Sequence, residues 1–143
     1  MEESISGLML KEHKRLDVML EDFEKSLVDT EKAKELLNKF KWNLEKHFFV
    51  EEKAIFDISI SISGEEISEV FDLLQEHSKI MVLLKGVEGQ LAKESKPGIL
   101  DLKETIIKHR KFENQIFYPK LDLELNENLK RSIMERIKEI IRA

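Results

Sequence analysis

All four histidines of this chain lie in two short motifs, and each motif occurs twice. In one motif a histidine follows leucine, any residue and glutamate; in the other a histidine begins the pattern H-x-x-x-E. The residues that these motifs supply are His13, His47, Glu51, His77, His109 and Glu113. Two single histidines and two His–Glu pairs make a ligand set for two metal ions, so these six residues are candidate metal ligands.

The H-x-x-x-E spacing suits metal binding because it places an imidazole and a carboxylate on one face of a helix, about 6 Å apart along its axis. Imidazole binds iron, zinc, copper and nickel, while carboxylate prefers harder ions. Two histidines and two shared glutamates per ion therefore fit iron best, with manganese or zinc as less suitable ions. Two bridging carboxylates would hold the ions about 3.5–4 Å apart, and an oxo or hydroxo bridge could complete the charge balance.

A metal-free core is the alternative, since a single histidine on an apolar helix face is more often a hydrogen-bonded core residue than a ligand. Each buried polar group without a partner costs about 1–3 kcal/mol, so six would cost roughly 6–18 kcal/mol. The whole domain is expected to be stable by only about 5–15 kcal/mol. Pairing each histidine with a glutamate, or admitting water, could relieve that cost, but metal binding needs fewer separate coincidences.

Apolar residues recur every three or four positions, which predicts five helices. We expect them at about residues 4–28, from the N-cap Thr30 to about Asp57, at 65–94, at 98–118 and at 126–142. The alternation of isoleucine and serine at 58–64 predicts an extended connection, with Ser63 capping the third helix. Pro119 is expected to end the fourth helix, and Asn126 to cap the last one.

In each of the first four helices the histidine continues the apolar series, so all four should project toward a common centre. The predicted fold class is all-α, an up-down-up-down four-helix bundle with an additional C-terminal helix. The chain of residues 1–143 is expected to be one domain, with its metal-binding bundle at about 4–121. The C-terminal helix would pack along the outside of the bundle or form the contact of a homodimer, so we expect a monomer or a homodimer.

Composition excludes several classes of function. The net charge is −5 and charged residues of both signs make up 37% of the chain, which argues against the basic patch of a nucleic-acid-binding protein. No apolar run approaches the roughly 20 residues that span a bilayer, so no membrane partner is expected. The sequence has no cysteine, which excludes thiolate zinc sites and iron–sulfur clusters. With an N-terminus that lacks signal-peptide features, these observations favour a cytoplasmic location.

The chain contains an internal repeat. Residues 10–20 align with 74–84 and residues 47–59 with 109–121, at nearly equal offsets of 64 and 62. Each copy supplies one histidine from its first helix and a His–Glu pair from its second. The two halves would meet about a pseudo-two-fold axis and share both glutamates between two ions.

These motifs resemble the hemerythrin-like, HHE cation-binding domains over about residues 8–121. The resemblance rests on His13, on HFFVE from His47 with EEKAIF from Glu51, on Glu76-His77, and on HRKFE from His109 followed by IFYP. The E-x-x-H motif of ferritin-like bundles fits less well. The resemblance implies a centre of two iron ions. It assigns one ion to His13 and His47 and the other to His77 and His109, with Glu51 and Glu113 as bridges.

Two departures from the oxygen-carrying members change the expected function. The carriers have a further histidine one turn after the third-helix histidine, where this chain has Met81, and thioether is a poor ligand for iron. They also have an aspartate at the place of Asn114, whereas here the carboxylate comes one residue earlier. We therefore expect a site that reacts with dioxygen, peroxide or nitric oxide rather than one that carries oxygen reversibly. Asp17 could add a ligand to the first ion, although an outer or surface position fits it better.

Other residues near the motifs are expected to play ordinary parts. Glu12, Glu52 and Glu76 are predicted to form surface ion pairs. Tyr118 could reach the site or a neighbouring backbone group, although packing at the end of a helix fits it better. Trp42 and Phe48 are expected to be packing residues.

Three functions remain open from the sequence. The first is a non-haem di-iron protein that takes a small diatomic or peroxide ligand, and is a metal- and oxygen-binding protein rather than a dedicated enzyme. The second is an iron- or oxygen-responsive regulatory module without turnover, in which metal loading alters a partner surface such as the last helix. The third is a metal-free structural bundle.

Overall fold

The structure, a computed structural model, describes residues 3–58, 67–93 and 95–142. Within these ranges the chain is helical apart from short connections, and no strand occurs among them. The α-helices are α1 (Ile5–Lys25), α2 (Thr30–Val50), α3 (Ile67–Ala92), α4 (Leu100–Phe112), α5 (Tyr118–Glu124) and α6 (Glu127–Arg142). A 3-10 turn, Ser26–Val28, follows α1. The predicted all-α class is confirmed.

Two helices contain a widened turn in which the backbone hydrogen bonds become π-helical. The first segment, π1 (Glu51–Phe56), continues α2, and its end is marked by the Asp57 N–H donating to the carbonyl of Glu52. The second, π2 (Glu113–Phe117), joins α4 to α5, and there the Tyr118 N–H donates to the carbonyl of Glu113. Both are bonds from residue i to i−5, the spacing of a π-helix.

The helix ends test several predictions. Asp29, rather than Thr30, caps α2, because its carboxylate accepts a hydrogen bond from the Lys32 N–H at 3.3 Å. Asn126 caps α6 as predicted, accepting from the Leu129 N–H at 2.9 Å. The predicted extended connection and its Ser63 cap lie outside the described residues, apart from Ile58, which is still helical.

The prediction that Pro119 ends the fourth helix is wrong. The helix continues through π2 into α5 and ends at Glu124. Pro119 falls in the first turn of α5, directly after the π-helical segment. A proline is tolerated in the first turn of a helical segment because its missing N–H breaks no hydrogen bond there.

The apolar core consists of two clusters with a layer of buried polar residues between them. One cluster joins the later part of α1, the earlier part of α2, the later part of α3 and the start of α4; among its members are Leu16, Phe23, Leu37, Phe40, Leu84, Leu91 and Leu102. The other joins the start of α1, π1, the earlier part of α3, π2, α5 and α6; among its members are Ile5, Met9, Phe56, Leu73, Phe117, Ile133 and Ile137. In each of α1 to α4 the histidine falls between the residues of these clusters.

The last helix covers one end of this core. α6 contacts α1, α2 and π1, and its Ile133 and Ile137 side chains are fully buried. Its apolar stripe therefore packs along the bundle, as the first of the two predictions for this helix stated.

In the part of the chain described here, none of the helices combines the length and the apolar character that crossing a bilayer requires.

Candidate metal centre

The six candidate ligands come together in one buried layer. The four imidazoles are at most 4% exposed, and both glutamates are fully buried. Their ligand atoms form two groups, and within each group all of the atoms lie within 4.8 Å of one another. Set A comprises His13, His47, Glu51 and Glu113, and set B comprises Glu51, His77, His109 and Glu113. Both glutamates are common to the two sets, which is the arrangement that shared ligands require.

Each glutamate contacts one histidine of each set through its Oε1 atom. The Nε2–Oε1 distances are 3.0 Å for His47–Glu51, 3.2 Å for His77–Glu51, and 3.3 Å for both His13–Glu113 and His109–Glu113. The ring centres of the two histidines are 4.9 Å apart in both sets, with interplanar angles of 66° in set A and 67° in set B. The contacts of one half of the sequence are thus repeated in the other half, as the internal repeat predicts.

The hydrogen bonding of these residues tests whether they suit a cation. The buried ligand atoms that lack a hydrogen-bond partner include Nε2 of His13, His77 and His109, and Oε1 of Glu51 and Glu113. Each such atom costs about 1–3 kcal/mol when it is left unsatisfied. The same atoms converge within the two sets, so cations between them would satisfy imidazole and carboxylate lone pairs together. This mixture of nitrogen and oxygen donors fits first-row transition ions.

Tyr118 belongs to the same layer, so the favoured prediction that it packs at a helix end is wrong and the alternative, that it reaches the site, is confirmed. Its side chain is fully buried. Its hydroxyl donates to Oε2 of Glu51 and lies 3.0 Å from Oε2 of Glu113. Each glutamate therefore directs one oxygen toward the histidines and the other toward Tyr118, which orients both carboxylates.

Three residues outside the layer fix the histidine rings through their Nδ1 atoms. Nδ1 of His77 lies 3.3 Å from Oε2 of Glu52, and Nδ1 of His109 lies 3.3 Å from Oε2 of Glu76. Nδ1 of His13 lies 2.8 Å from Oδ1 of Asn114. An Nδ1–H that donates to such an acceptor leaves the Nε2 lone pair free to face the centre.

The predicted surface ion pairs of the neighbouring glutamates are only partly confirmed. Glu12 does form an ion pair, with its Oε2 3.0 Å from Nη2 of Arg15, but its own side chain is buried rather than at the surface. For Glu52 and Glu76 the prediction is wrong, because their carboxylates hold imidazoles on adjacent helices. They are not members of either ligand set, so their role is to orient ligands.

The two residues considered as extra ligands differ in position. Asp17 pairs with the buried guanidinium of Arg110 and is 58% exposed, and it is not a member of either ligand set. Met81 is half-buried and lines a surface pocket of about 520 Å³ that also reaches His77. Met81 therefore lies beside set B, whereas Asp17 has the outer position that the sequence favoured.

The aromatic residues near the motifs also differ from each other. Phe48 is buried and stacks on His77 with ring centres 3.8 Å apart, which confirms its packing role. Trp42 is 62% exposed, so the prediction that it is a packing residue is wrong. Its ring instead lies 5.5 Å from the ammonium group of Lys46, a cation–π contact at the surface.

Both shared glutamates are the first residues of π-helical segments, Glu51 of π1 and Glu113 of π2. A π-helical turn is rare and is frequently found at functional sites. It widens the helix immediately after the carboxylate. In π2 the hydrogen bond from residue i to i−5 brings Tyr118 over Glu113, and this explains how both side chains reach the same layer.

Burial and mutual contact shift the pKa values of the two glutamate carboxyl groups in opposite directions. Burial and the nearby charge of Glu51 raise the pKa of Glu113 well above its usual value. For Glu51 the effect of burial is outweighed by the charge of His47 and by hydrogen bonds, which hold its pKa well below the usual range. Burial and the neighbouring carboxyl groups of Glu113 and Glu51 also raise the pKa of Tyr118. The metal-free centre therefore holds its negative charge on Glu51 rather than on Glu113.

The histidines are also shifted in opposite directions. Burial and the charge of His47 lower the pKa of His13 to about 3. Burial would likewise lower the pKa of His77, but the neighbouring carboxylates of Glu51 and Glu52 outweigh it and raise this pKa to about 9. Metal binding needs neutral imidazole and ionised carboxylate, so loading at neutral pH should release the proton of His77.

The raised pKa of His77 predicts a pH dependence for the metal-free protein. Protonated His77 stabilises the fold fully below its unfolded pKa of about 6.5, and this contribution is lost as pH rises toward 9. The change corresponds to about 3 kcal/mol. The pKa of Glu113 is also raised. Its protonated form therefore also stabilises the fold, and this contribution too is lost as pH rises, starting from a lower pH. Urea unfolding of chelator-treated protein should therefore give a lower free energy of unfolding at pH 9 than at pH 6.5.

The matched control for this measurement is His77→Gln, which cannot take up the proton. It should lose less stability between the two pH values than the unchanged chain. An equal loss of unfolding free energy between the two pH values in both proteins would contradict the assignment to His77.

Comparison with known families gives a match over most of the chain. A family model described as the hemerythrin HHE cation binding domain matches residues 4–121, which confirms the resemblance seen in the sequence. No curated protein and no solved structure gave a match in the corresponding comparisons. The matched range contains all six candidate ligands and ends before α6.

Proposed function

Because the chain belongs to the hemerythrin HHE cation-binding family, we propose that it is a non-haem di-iron protein that binds or reacts with dioxygen, peroxide or nitric oxide. One observation carries the proposal: buried nitrogen and oxygen atoms without hydrogen-bond partners converge in two groups that share Glu51 and Glu113. In this assignment His13 and His47 would hold one ion, His77 and His109 would hold the other, and Glu51 and Glu113 would be shared between them.

The donor types support iron over other metals. Each set offers two imidazole nitrogens and two carboxylate oxygens, a mixture that suits iron, with manganese or zinc as less suitable ions. Two bound iron ions would supply the redox chemistry and the binding of a small ligand. The protein's own residues position the donors and exclude water, since apolar clusters lie on both sides of the layer. Tyr118 keeps its proton and holds the two carboxylates in place.

We also propose the up-down-up-down arrangement of the four helices. The composition of the core supports it, because one apolar cluster takes residues from the end of α1, the start of α2, the end of α3 and the start of α4. The other cluster takes the opposite ends of the same helices. Consecutive helices that meet end to start in this way run in alternate directions.

The experiment that tests the proposal is metal analysis of the purified protein with absorption spectra before and after exposure to air. We expect two iron ions per chain and a di-ferric absorption band that appears when the ferrous protein meets air. As a control, His47→Ala with His109→Ala removes one imidazole from each set and should bind little iron. A protein that takes up no iron from ferrous solution, while remaining folded, would rule the proposal out.

The absence of a fifth histidine supports reaction rather than reversible carriage, and Met81→His tests this point. Position 81 lines the same pocket as His77, so an imidazole there could fill a position that a reactant needs. We expect the ferrous protein to react with peroxide roughly tenfold more slowly, equivalent to about 1.4 kcal/mol in the activation barrier. Stopped-flow absorption gives the rate, with Met81→Leu as the control for packing. An equal rate in the two variants would show that residue 81 is too far from the reacting ion.

A regulatory role without turnover is the second candidate, and the position of α6 favours it. α6 contacts π1, the segment that begins at the shared ligand Glu51. A change in the position of Glu51 on metal loading could therefore alter the surface of α6. This role predicts metal-dependent amide hydrogen exchange in α6 together with no consumption of peroxide or oxygen beyond one turnover.

Cellular location and assembly belong to the same proposal. We propose a cytoplasmic protein that is a monomer, or a homodimer through α6. Cell fractionation and sedimentation at several protein concentrations test these two points.

A further inference from the structure

The internal repeat allows the surroundings of the two metal positions to be compared residue by residue. With the offset of 62, Asn114 is the counterpart of Glu52. With the offset of 64, Glu76 is the counterpart of Glu12. Each of these four residues is next to a candidate ligand in the sequence. A strictly symmetric centre would therefore give every histidine an equivalent partner at Nδ1.

Set B follows this expectation fully. Nδ1 of His77 is 3.3 Å from the carboxylate of Glu52, and Nδ1 of His109 is 3.3 Å from the carboxylate of Glu76. Both acceptors are carboxylates, and both come from the helix adjacent to the one that carries the histidine. Both imidazoles of set B are thus backed by negative charge.

Set A departs from this symmetric pattern of Nδ1 partners at both of its histidines. His13 has the neutral amide oxygen of Asn114 at 2.8 Å. Nδ1 of His47 is buried and has no hydrogen-bond partner. Glu12, the counterpart of Glu76, instead pairs with Arg15 at 3.0 Å, and Arg15 is also held by Asn43 at 2.9 Å.

This difference affects metal affinity through the basicity of the ligands. A carboxylate that accepts from Nδ1–H makes the opposite Nε2 a stronger donor and stabilises the positive charge on the metal–imidazole unit. Loss of one such partner lowers metal affinity by about 10–100-fold. A neutral amide orients the ring but lacks the charge, and an unpartnered Nδ1 does neither.

We propose that the two metal positions are unequal, that the His77–His109 position binds its ion more tightly and fills first, and that Glu52 and Glu76 are the residues that make it so. The inference rests on the proposed function, since it assumes that the two sets bind metal. It goes beyond that function because it ranks the two positions from residues that are not themselves ligands. The His13–His47 position is then the one that exchanges its ion more readily.

The direct test uses Zn²⁺, a probe with no redox chemistry, and nuclear magnetic resonance of the histidine rings. One equivalent of Zn²⁺ is added to the full-length metal-free protein at about pH 9, where His77 is no longer fully protonated. We expect the ring signals of His77 and His109 to shift to their bound positions while those of His13 and His47 stay largely unchanged. The second equivalent should then shift the remaining pair.

Charge-removing variants of nearly equal shape identify the cause. Glu76→Gln should weaken the His77–His109 position by about tenfold or more. Glu12→Gln, its counterpart in the repeat, should leave both positions unchanged because Glu12 contacts no imidazole. Combining Glu52→Gln with Asn114→Asp moves the charge from one set to the other and should reduce or reverse the order of filling.

The outcomes separate this inference from the proposed function. Two Zn²⁺ ions that bind equally well, or a first ion on His13 and His47, would overturn the inequality and leave the dinuclear site intact. The same effect from Glu12→Gln as from Glu76→Gln would overturn the role of the carboxylates. Binding of no Zn²⁺ and no Fe²⁺ by the folded protein would overturn the proposed function itself.

Discussion

Replacing Glu51 by alanine should remove both metal ions rather than one. The carboxylate of Glu51 contacts a histidine of each set and belongs to both groups of converging donors. Without it each ion keeps two imidazoles and one carboxylate, Glu113. That carboxylate would have to offset the charge of two cations, and we expect iron content to fall from two ions per chain to fewer than about 0.2, a loss of about tenfold or more. Glu113→Ala should behave in the same way, since its contacts repeat those of Glu51 in the other half.

The adjacent residue provides the matched control for this experiment. Glu52→Ala removes a carboxylate from the same turn, but Glu52 contacts only the outer Nδ1 of His77. It should keep two ions, with weaker binding at one of them. Circular dichroism checks the fold, and Glu51→Gln keeps the volume of the side chain should alanine unfold the protein. Retention of one ion by Glu51→Ala or Glu51→Gln would show that the glutamate is not shared.

The candidate ligands could be predicted from the sequence because two periodic patterns coincide. Each histidine continues the apolar series of its helix, so the same spacing that buries the core also buries the ligand. The H-x-x-x-E pairs add a carboxylate one turn further along the same face. Local spacing was therefore sufficient to identify the six residues that the structure brings together.

Tyr118 shows why the sequence favoured the wrong position for another residue of this layer. It is five residues after Glu113, and in an α-helix of 3.6 residues per turn that separation turns the side chain by about 140° away. The π-helical segment changes the number of residues per turn, so that residue i+5 lies over residue i. Since no local sequence rule marks a π-helical turn, α-helical spacing assigned Tyr118 to a different face. The same change of register explains why Pro119 does not end the helix.

The outer partners of the histidines escaped prediction for a different reason. Glu52 and Glu76 are one position off the inward stripe of their own helices, which indicates an edge of the helix and a surface ion pair. Their carboxylates reach imidazoles on the next helix, and contacts between helices depend on packing distances that a single sequence does not contain. The repeat could suggest that counterpart residues act alike, but it could not show that Arg15 holds Glu12 away from this role.

Ile137→Ala should destabilise the protein by about 2–5 kcal/mol, the usual cost of removing a buried isoleucine side chain from a packed core. Ile137 is fully buried in the cluster that also contains Ile5, Val50 and Phe56. Its deletion would leave a cavity between α6 and the bundle, beside π1. Urea unfolding of the metal-free protein measures the change in free energy. Leu123→Ala is the control, because Leu123 is 87% exposed and its loss should cost no more than about 0.5 kcal/mol.

The same variant distinguishes the two parts that α6 could play. Where the apolar stripe packs on its own chain, the loss of stability is the same at every protein concentration. Where it forms the contact of a homodimer, the unfolding midpoint depends on concentration, since association stabilises the folded state by mass action. We expect no such dependence for the unchanged chain or for Ile137→Ala between about 1 and 100 µM, a range over which an obligate dimer would gain about 2.7 kcal/mol for a hundredfold increase. A midpoint that rises with concentration, in the unchanged chain but not in the variant, would instead assign Ile137 to a contact between two copies.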